Sequence, residues 1–108
     1  METMRKLEKN GITFDIEDIK RICMKYKIIE LSVFGSSLRD DFKADSDIDI
    51  LVEYSPKAKI SLFDEVDITD EFSELVNREV HLTDIEELKN PIRRKFILES
   101  REIVYANS

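Results

Sequence analysis

Residues 33–53 constrain this chain most, because they predict two strands joined by a turn of small and polar residues. The first strand runs into Gly35, and the second reads Asp-Ile-Asp-Ile-Leu-Val from Asp47 onwards. Successive side chains of a strand point to opposite faces, so Asp47 and Asp49 share one face with their Cα atoms about 6.6 Å apart. The stretch therefore predicts a strand–turn–strand unit with a pair of neighbouring carboxylates.

Such a carboxylate pair favours a bound cation. Two like charges this close repel each other, and no cationic residue lies within the predicted strand to compensate for them. Mg²⁺ is usually held by one or two carboxylates, with substrate phosphates and water completing its octahedral shell. Asp47 and Asp49 therefore predict a Mg²⁺ site that also accepts phosphates.

The turn before the aspartates offers groups that bind phosphates. Gly35 lets the backbone turn tightly and approach a ligand. Ser36 and Ser37 add hydroxyls beside backbone N–H groups that a following helical turn would leave unpaired. Lys43, in the polar loop after the turn, is expected near the same place. The anion site and the cation site are thus predicted to adjoin.

Two simpler interpretations of the aspartates are disfavoured by the sequence. Residues 45–49 have the D-x-D-x-D spacing that opens a calcium loop, but such a loop needs glycine at its sixth position and glutamate at its twelfth. These positions are Ile50 and Pro56 here, which disfavours calcium. The second interpretation is that the acids lie on an exposed strand and bind nothing. A single aspartate would commonly do so, but the glycine-serine turn that precedes this pair disfavours it.

Glycine and serine followed by S-D-x-D resemble the signature of the polymerase-β-like nucleotidyltransferases, and the chain is most similar to their minimal single-domain branch, the MNT domains. The resemblance extends from the first secure helix to Glu99. It implies an α/β (α+β) fold with a small mixed β-sheet of three to four strands flanked by helices. It also implies that Gly35 and Ser36 bind nucleotide phosphates, that Asp47 and Asp49 bind metal, and that Arg39 contacts a phosphate.

The sequence departs from the family pattern at two places. Asp40 stands where glycine commonly follows Arg39, which puts a carboxylate near incoming phosphates. The third strand usually carries a further carboxylate, in a pattern like R-x-V-D-L, and residues 78–82 read R-E-V-H-L. Imidazole is a poor ligand for Mg²⁺, but neutral His81 can act as a base near pH 7. Glu79 is an alternative on the same strand face, and a surface histidine without a role is the third interpretation.

The resemblance implies transfer of AMP from ATP, or of another nucleoside monophosphate, to a hydroxyl on a macromolecule. Asp47, Asp49 and His81 are the predicted catalytic residues, with Asp47 and Asp49 holding Mg²⁺ and His81, or Glu79 in its place, orienting or deprotonating the acceptor. For the MNT branch it implies an antitoxin that adenylylates a tyrosine of a HEPN toxin and so silences its RNase activity. The alternative is a non-catalytic antitoxin that neutralises its partner by direct contact. A transferase acting on a small molecule such as an aminoglycoside is a weaker interpretation, because its pocket would need an extra domain.

Composition restricts the partners. With 24 acidic and 17 basic residues the net charge is −7, which disfavours direct binding of nucleic acid. The single cysteine, Cys23, excludes an internal disulfide and fits a reducing compartment. No apolar segment approaches the roughly 20 residues needed to cross a bilayer. We therefore expect a cytoplasmic protein without a membrane segment, either as a homo-oligomer or bound to its partner.

The element pattern predicts one domain over residues 1–108, with 1–13 as a flexible arm whose first ten residues are helix-tolerant. Strands are expected at 28–34, 47–53, 78–83 and 103–105, and helices are expected from Asp15 to about Lys27, from Ser61 to about Val76, and after Asp84 and Asn90. The apolar positions predicted to face inward are Ile16, Ile19, Ile22, Cys23 and Tyr26 in the first helix, Leu62, Phe63, Val66, Phe72, Leu75 and Val76 in the second, and Ile92, Phe96 and Leu98 in the last.

Overall fold

A computed structural model describes residues 6–9, 12–35 and 47–107 of the chain. In chain order the elements are β1 (Lys6–Lys9), β2 (Ile12–Asp15), α1 (Ile16–Lys25), β3 (Ile28–Phe34), β4 (Ile48–Tyr54), α2 (Leu62–Val76), β5 (Val80–Asp84), a 3₁₀ turn (Ile85–Glu87), α3 (Pro91–Ser100) and β6 (Glu102–Ala106). Among the described residues, no helix combines the length and the apolar composition that crossing a bilayer requires.

Four of the strands form one mixed sheet in the order β5-β4-β3-β6. Strand β3 pairs antiparallel with both β4 and β6, whereas β4 and β5 are parallel. A parallel pair needs a long crossover connection, and α2 supplies it between β4 and β5. This arrangement confirms the expected mixed sheet of three to four strands flanked by helices.

Helices cover both faces of the sheet. On one face, α1 and α2 pack against alternate residues of β4; Ile50 and Val52 belong to this cluster together with Ile19 and Ile68. On the other face, Leu51 packs with Ile97 of α3 and with its neighbours Phe34, Ile85 and Leu88. The alternation along β4 therefore serves two cores, and Asp49 lies on the same face as Leu51.

The predicted helix starts are confirmed by their caps. The Asp15 side chain accepts hydrogen bonds from the first turn of α1, and Asn90 does the same for α3, where Pro91 occupies the first helical position. Ser61 and Asp64 form a reciprocal capping box at the start of α2. Caps of this kind each stabilise a helix by about 1 kcal/mol, which explains why these boundaries could be read from the sequence.

The N-terminal segment differs from the prediction. Residues 6–9 were interpreted as helix-tolerant, but β1 pairs antiparallel with β2. The dipeptide that separates the two strands in the sequence is Asn10-Gly11, which favours two-residue hairpin turns. The charged composition of residues 6–9 favours a helix less strongly than this dipeptide favours a hairpin.

The inward faces of α2 and α3 were also predicted wrongly in part. In α2, Leu62 is 78% exposed and Phe63 is 84% exposed, and Val66 is exposed as well; Ile68 and Phe72 are the buried residues. In α3, the exposed apolar residues are Ile92 and Phe96, and the buried one is Ile97. Each helix carries apolar residues on more than one of its sides, and only one side of each helix packs against the sheet.

Candidate functional site

The candidate site lies where the first residues of β4 and β5 meet side by side. The parallel register pairs Ile48 with Val80 and Asp49 with His81, and the Ile48 N–H donates a hydrogen bond to the Glu79 carbonyl at 2.9 Å. Because Ile48 and Val80 point into the core, the residues on either side of each point to the opposite face. The two strands therefore bring Asp47, Asp49, Glu79 and His81 to one face of the sheet.

A direct contact joins the two strands at this site. The Nε2 atom of His81 lies 2.8 Å from Oδ2 of Asp47, and roughly half of each side chain is exposed to solvent. Glu79 lies beside them, so that one possible ligand atom from each of the three residues falls within 4.8 Å of the others. Three side chains that can bind a metal thus converge on one exposed patch.

The glycine of the predicted phosphate turn lies against the second aspartate. Gly35 follows β3 at the point where Phe34 pairs with Asp49. Its φ is +67°, a backbone conformation that residues with a Cβ adopt only with strain. A Cβ at this position would lie 2.7 Å from Oδ2 of Asp49. Both the backbone conformation and the neighbouring carboxylate therefore favour glycine here.

The donor set fits a divalent cation. Asp47, Asp49 and Glu79 contribute carboxylate oxygens, which are the ligands that Mg²⁺ prefers, and their negative charges need compensation when they approach one another. His81 differs from them because a neutral imidazole nitrogen is a softer donor. The site can therefore bind a metal through oxygen ligands alone or through a mixed set of oxygen and nitrogen.

An open groove adjoins the site between α2 and the edge strand β5. It measures about 590 Å³, which lies in the size range of small-molecule sites, and His81, Glu79, Arg78, Ser73 and Asp70 are among its lining residues. The groove is lined mainly by polar and charged side chains. It gives a ligand access to Glu79 and His81 from the outer edge of the sheet.

The remaining predicted site residues lie outside the part of the chain that the structure describes. These are Ser36, Ser37, Arg39 and Lys43. Their predicted contacts with phosphates stay predictions. The contact between His81 and Asp47 was not predicted, because the parallel register that produces it has no signal in either strand alone.

The sequence of residues 17–108 matches the family described as "Polymerase beta, Nucleotidyltransferase". The chain belongs to this family. The expected resemblance and the expected fold are both confirmed, and the chain is a nucleotidyltransferase by family. The carboxylate pair on β4 and the adjoining Gly35 therefore belong to a nucleotidyltransferase domain.

Two named relatives are similar to the chain over most of its length. A candidate protein adenylyltransferase of Methanocaldococcus jannaschii is 35% identical over 81 residues, which are 75% of this chain and 79% of the relative. The protein adenylyltransferase MntA of Thermococcus cleftensis is 30% identical over 86 residues, 80% of this chain and 82% of the relative. Both relatives are named for the transfer of an adenylyl group to protein.

Solved structures show the same fold. A toxin–antitoxin structure with AMP-PNP has a TM-score of 0.67 at 14% identity, covering 88% of this chain and 76% of the matched chain. The complex of a tri-AMPylated Shewanella oneidensis HEPN toxin with its MNT antitoxin has a TM-score of 0.59 at 14% identity, covering 85% and 70%. At such low identity these likenesses establish the fold alone.

Proposed function

We propose that this nucleotidyltransferase transfers AMP from ATP to a tyrosine hydroxyl of a HEPN-type toxin, and that it acts as the antitoxin of that protein. One observation carries the proposal: Asp47 and Asp49 share one face at the start of β4, and Gly35 lies directly against Asp49. The names of the relatives, and the structures of toxin–antitoxin complexes with the same fold, support the choice of substrate and partner.

Asp47 and Asp49 would hold Mg²⁺, which supplies positive charge to the triphosphate when it is bound. Gly35 allows the backbone to approach the phosphates closely, and Ser36, Ser37 and Arg39 are proposed to bind them. The chain thereby orients the α-phosphorus for in-line attack. Positioning and charge compensation account for most of the catalysis in phosphoryl transfers of this kind.

In the reaction, the tyrosine oxygen forms a bond to the α-phosphorus of ATP and the bond to the bridging oxygen of the β-phosphate breaks. Pyrophosphate leaves with the electron pair of that bond, and the phenolic proton passes to a base. Glu79 and His81 are the candidate bases, since both lie on the face of Asp47 and are exposed to solvent. An acceptor can approach them from the groove beside β5.

A protein partner is also consistent with the surface of the molecule. Large apolar side chains are exposed on the described part of α2 and α3, and such surfaces in soluble proteins are commonly covered by other proteins. The net charge of −7 makes a protein a more suitable acceptor than nucleic acid. We place the reaction in the cytoplasm, where ATP is available and where the free thiol of Cys23 is compatible with the reducing conditions.

Incubation with [α-³²P]ATP, Mg²⁺ and a HEPN-type protein from the same genome tests this function. The ³²P label should become attached to the partner protein and remain there after the unreacted ATP is removed. A Tyr→Phe change at the acceptor should abolish the labelling. Asp47→Asn and Asp49→Asn should each reduce the rate at least a hundredfold, or about 2.7 kcal/mol. Asp67→Asn, an acid on the exposed side of α2, is the matched control and should keep the activity.

A second candidate function is neutralisation of the toxin by direct contact, without any transfer reaction. It is favoured by His81, because an imidazole stands where the family pattern has a further carboxylate. The same variants separate the two functions. If Asp47→Asn and Asp49→Asn still neutralise the partner's RNase activity in full, no metal is needed and the contact mechanism is correct. If the wild-type protein transfers no label and leaves the partner active, both functions are wrong.

A further inference from the structure

An imidazole nitrogen lies among the carboxylates of this site, and the metal-binding properties of nitrogen and oxygen differ. The three side chains are Asp47, Glu79 and His81, whose possible ligand atoms fall within 4.8 Å of one another. We propose that they form a cation position that selects first-row transition-metal dications over Mg²⁺. The position adjoins the Asp47–Asp49 pair, so the inference rests on the proposed function and assigns a second cation to the same site.

The distances suit two ligands of one ion. Neighbouring ligands of an octahedral cation with bonds of about 2.1 Å lie about 3 Å apart. The Asp47 Oδ2 atom and the His81 Nε2 atom are separated by 2.8 Å. Glu79 is exposed, and one of its carboxylate oxygens already lies within 4.8 Å of the other two ligand atoms.

The backbone holds the three residues in place before any ligand arrives. The hydrogen bond from the Ile48 N–H to the Glu79 carbonyl and the pairing of Asp49 with His81 fix the start of β4 against the start of β5. Ile48 and Val80, which lie between the donors along each strand, are both buried. The donors therefore stand on backbone that is already ordered, and binding an ion has to order only their side chains.

The chemistry of the donors determines which ion is preferred. Mg²⁺ takes oxygen ligands and releases its water reluctantly, so an imidazole contributes little to its binding. Manganese, cobalt and zinc dications accept a mixed set of carboxylate and imidazole ligands, with affinities that follow the general order of the first-row series. Mn²⁺ binds most weakly in that series, so a preference for Mn²⁺ over Mg²⁺ is the most demanding test.

The assignment also gives His81 a defined role. When its Nε2 atom binds a cation, the imidazole serves as a ligand and does not accept the proton of the tyrosine hydroxyl through that atom. Of the two candidate bases, Glu79 keeps a second carboxylate oxygen that can accept a proton while the first binds the ion. His81 is then a metal ligand, and its replacement should change metal preference more than it changes proton transfer.

Pulsed electron paramagnetic resonance of Mn²⁺ tests the proposal directly, because His81 is the only histidine in the chain. Tag-free protein is titrated with Mn²⁺ in the absence of nucleotide and partner. The bound ion should show the ¹⁴N coupling of a directly ligated imidazole, and displacing it should require at least a tenfold excess of Mg²⁺. Absence of ¹⁴N coupling, or equal competition by Mg²⁺, would overturn the proposal.

Two variants provide the matched comparison. His81→Gln should lose the ¹⁴N coupling and bind Mn²⁺ about tenfold more weakly, whereas His81→Asp should lose the coupling but bind Mg²⁺ better than the wild type. His81 is largely exposed, so neither change should disturb folding, and circular dichroism checks this. If His81→Asp leaves the Mg²⁺ competition unchanged, the imidazole does not determine selectivity and the proposal is wrong.

These measurements are independent of the transferase reaction. If ¹⁴N coupling is present and no label is transferred to any partner, the cation position is correct and the proposed function is wrong. If label is transferred and the coupling is absent, the function holds and the mixed-ligand position is wrong.

Discussion

The α-carbon of Gly35 faces the carboxylate of Asp49 so closely that a Cβ would lie 2.7 Å from Oδ2. This contact joins the end of β3 to the start of β4, the two strands whose pairing places Phe34 opposite Asp49. A glycine predicted to give phosphates access to the backbone thus also lies against a carboxylate that is predicted to bind a metal. The two functions predicted separately for the turn and the strand depend on one backbone position.

Gly35→Ala should therefore reduce activity more than stability. The added methyl group displaces the Asp49 carboxylate, and the positive φ of residue 35 adds strain of about 1 kcal/mol. We expect the rate of adenylyl transfer to fall at least thirtyfold, or about 2 kcal/mol in the barrier. Label transfer measures the rate, and urea unfolding measures the loss of stability.

The control for this prediction is a variant with a similar loss of stability away from the site. Ile68→Val removes one methylene from the core beneath α2 and should cost about 1 kcal/mol. It should keep nearly full activity. Equal losses of activity in the two variants would show that Gly35 acts only through stability.

The two strands of the strand–turn–strand unit in residues 33–53 could be predicted because the sequence features that indicate them lie close together in the chain. Strand β3 has the predicted bounds, and the alternation from Asp47 to Val52 correctly placed the buried residues Ile48, Ile50 and Val52 on the face opposite the two aspartates. The helix caps at Asp15 and Ser61 could be predicted for the same reason, since each cap depends on residues no more than three positions apart. These features need no knowledge of how distant parts of the chain pack.

The features that could not be predicted depend on distant partners. The contact of His81 with Asp47 follows from a parallel register between strands separated by a helix, and neither strand specifies that register by itself. The burial of α2 depends similarly on which of its apolar sides meets the sheet. Phe63 and Phe72 are both phenylalanines of α2, yet Phe63 is exposed and Phe72 is buried.

This pair gives a test of the corrected helix face. Phe72→Ala should destabilise the protein by about 3–5 kcal/mol, because it leaves a cavity in the core. Phe63→Ala should change stability by less than about 0.5 kcal/mol, since the ring is 84% exposed. Chemical denaturation of both variants measures the difference. Similar losses would mean that the originally predicted face, with Phe63 inward, is the buried one.

Burial of Cys23 predicts a loss of stability at high pH. The side chain is fully buried, and this raises the pKa of its thiol from 9.0 to about 12. The unfolded chain ionises first as the pH rises, so the stabilising contribution is complete below pH 9 and is lost progressively up to about pH 12. The thiol should account for a loss of about 2 kcal/mol at pH 10.5 relative to pH 8.

Other groups titrate in the same range, so the control is the pH dependence of Cys23→Ala. Burial also raises the pKa of Tyr54 and of Tyr105, and both contribute to the alkaline loss in either protein. The variant will be less stable at every pH because of its cavity, but its loss between pH 8 and 10.5 should be smaller by about 2 kcal/mol. Parallel curves for the two proteins would contradict the assignment to the thiol.

An ion pair between Arg101 and Glu30 should stabilise the attachment of β6 to the sheet. Their Nη1 and Oε1 atoms are 2.5 Å apart, and the two side chains are only 17% and 22% exposed. Arg101→Met should cost about 2 kcal/mol in urea unfolding, because it leaves a largely buried carboxylate without its partner. The matched control is Arg21→Met, which removes the exposed pair with Asp18 and should cost less than about 0.5 kcal/mol. If both substitutions have the same small effect, solvent screens the Arg101–Glu30 pair as well, and the pairing of β6 with β3 rests on its backbone hydrogen bonds and apolar contacts instead.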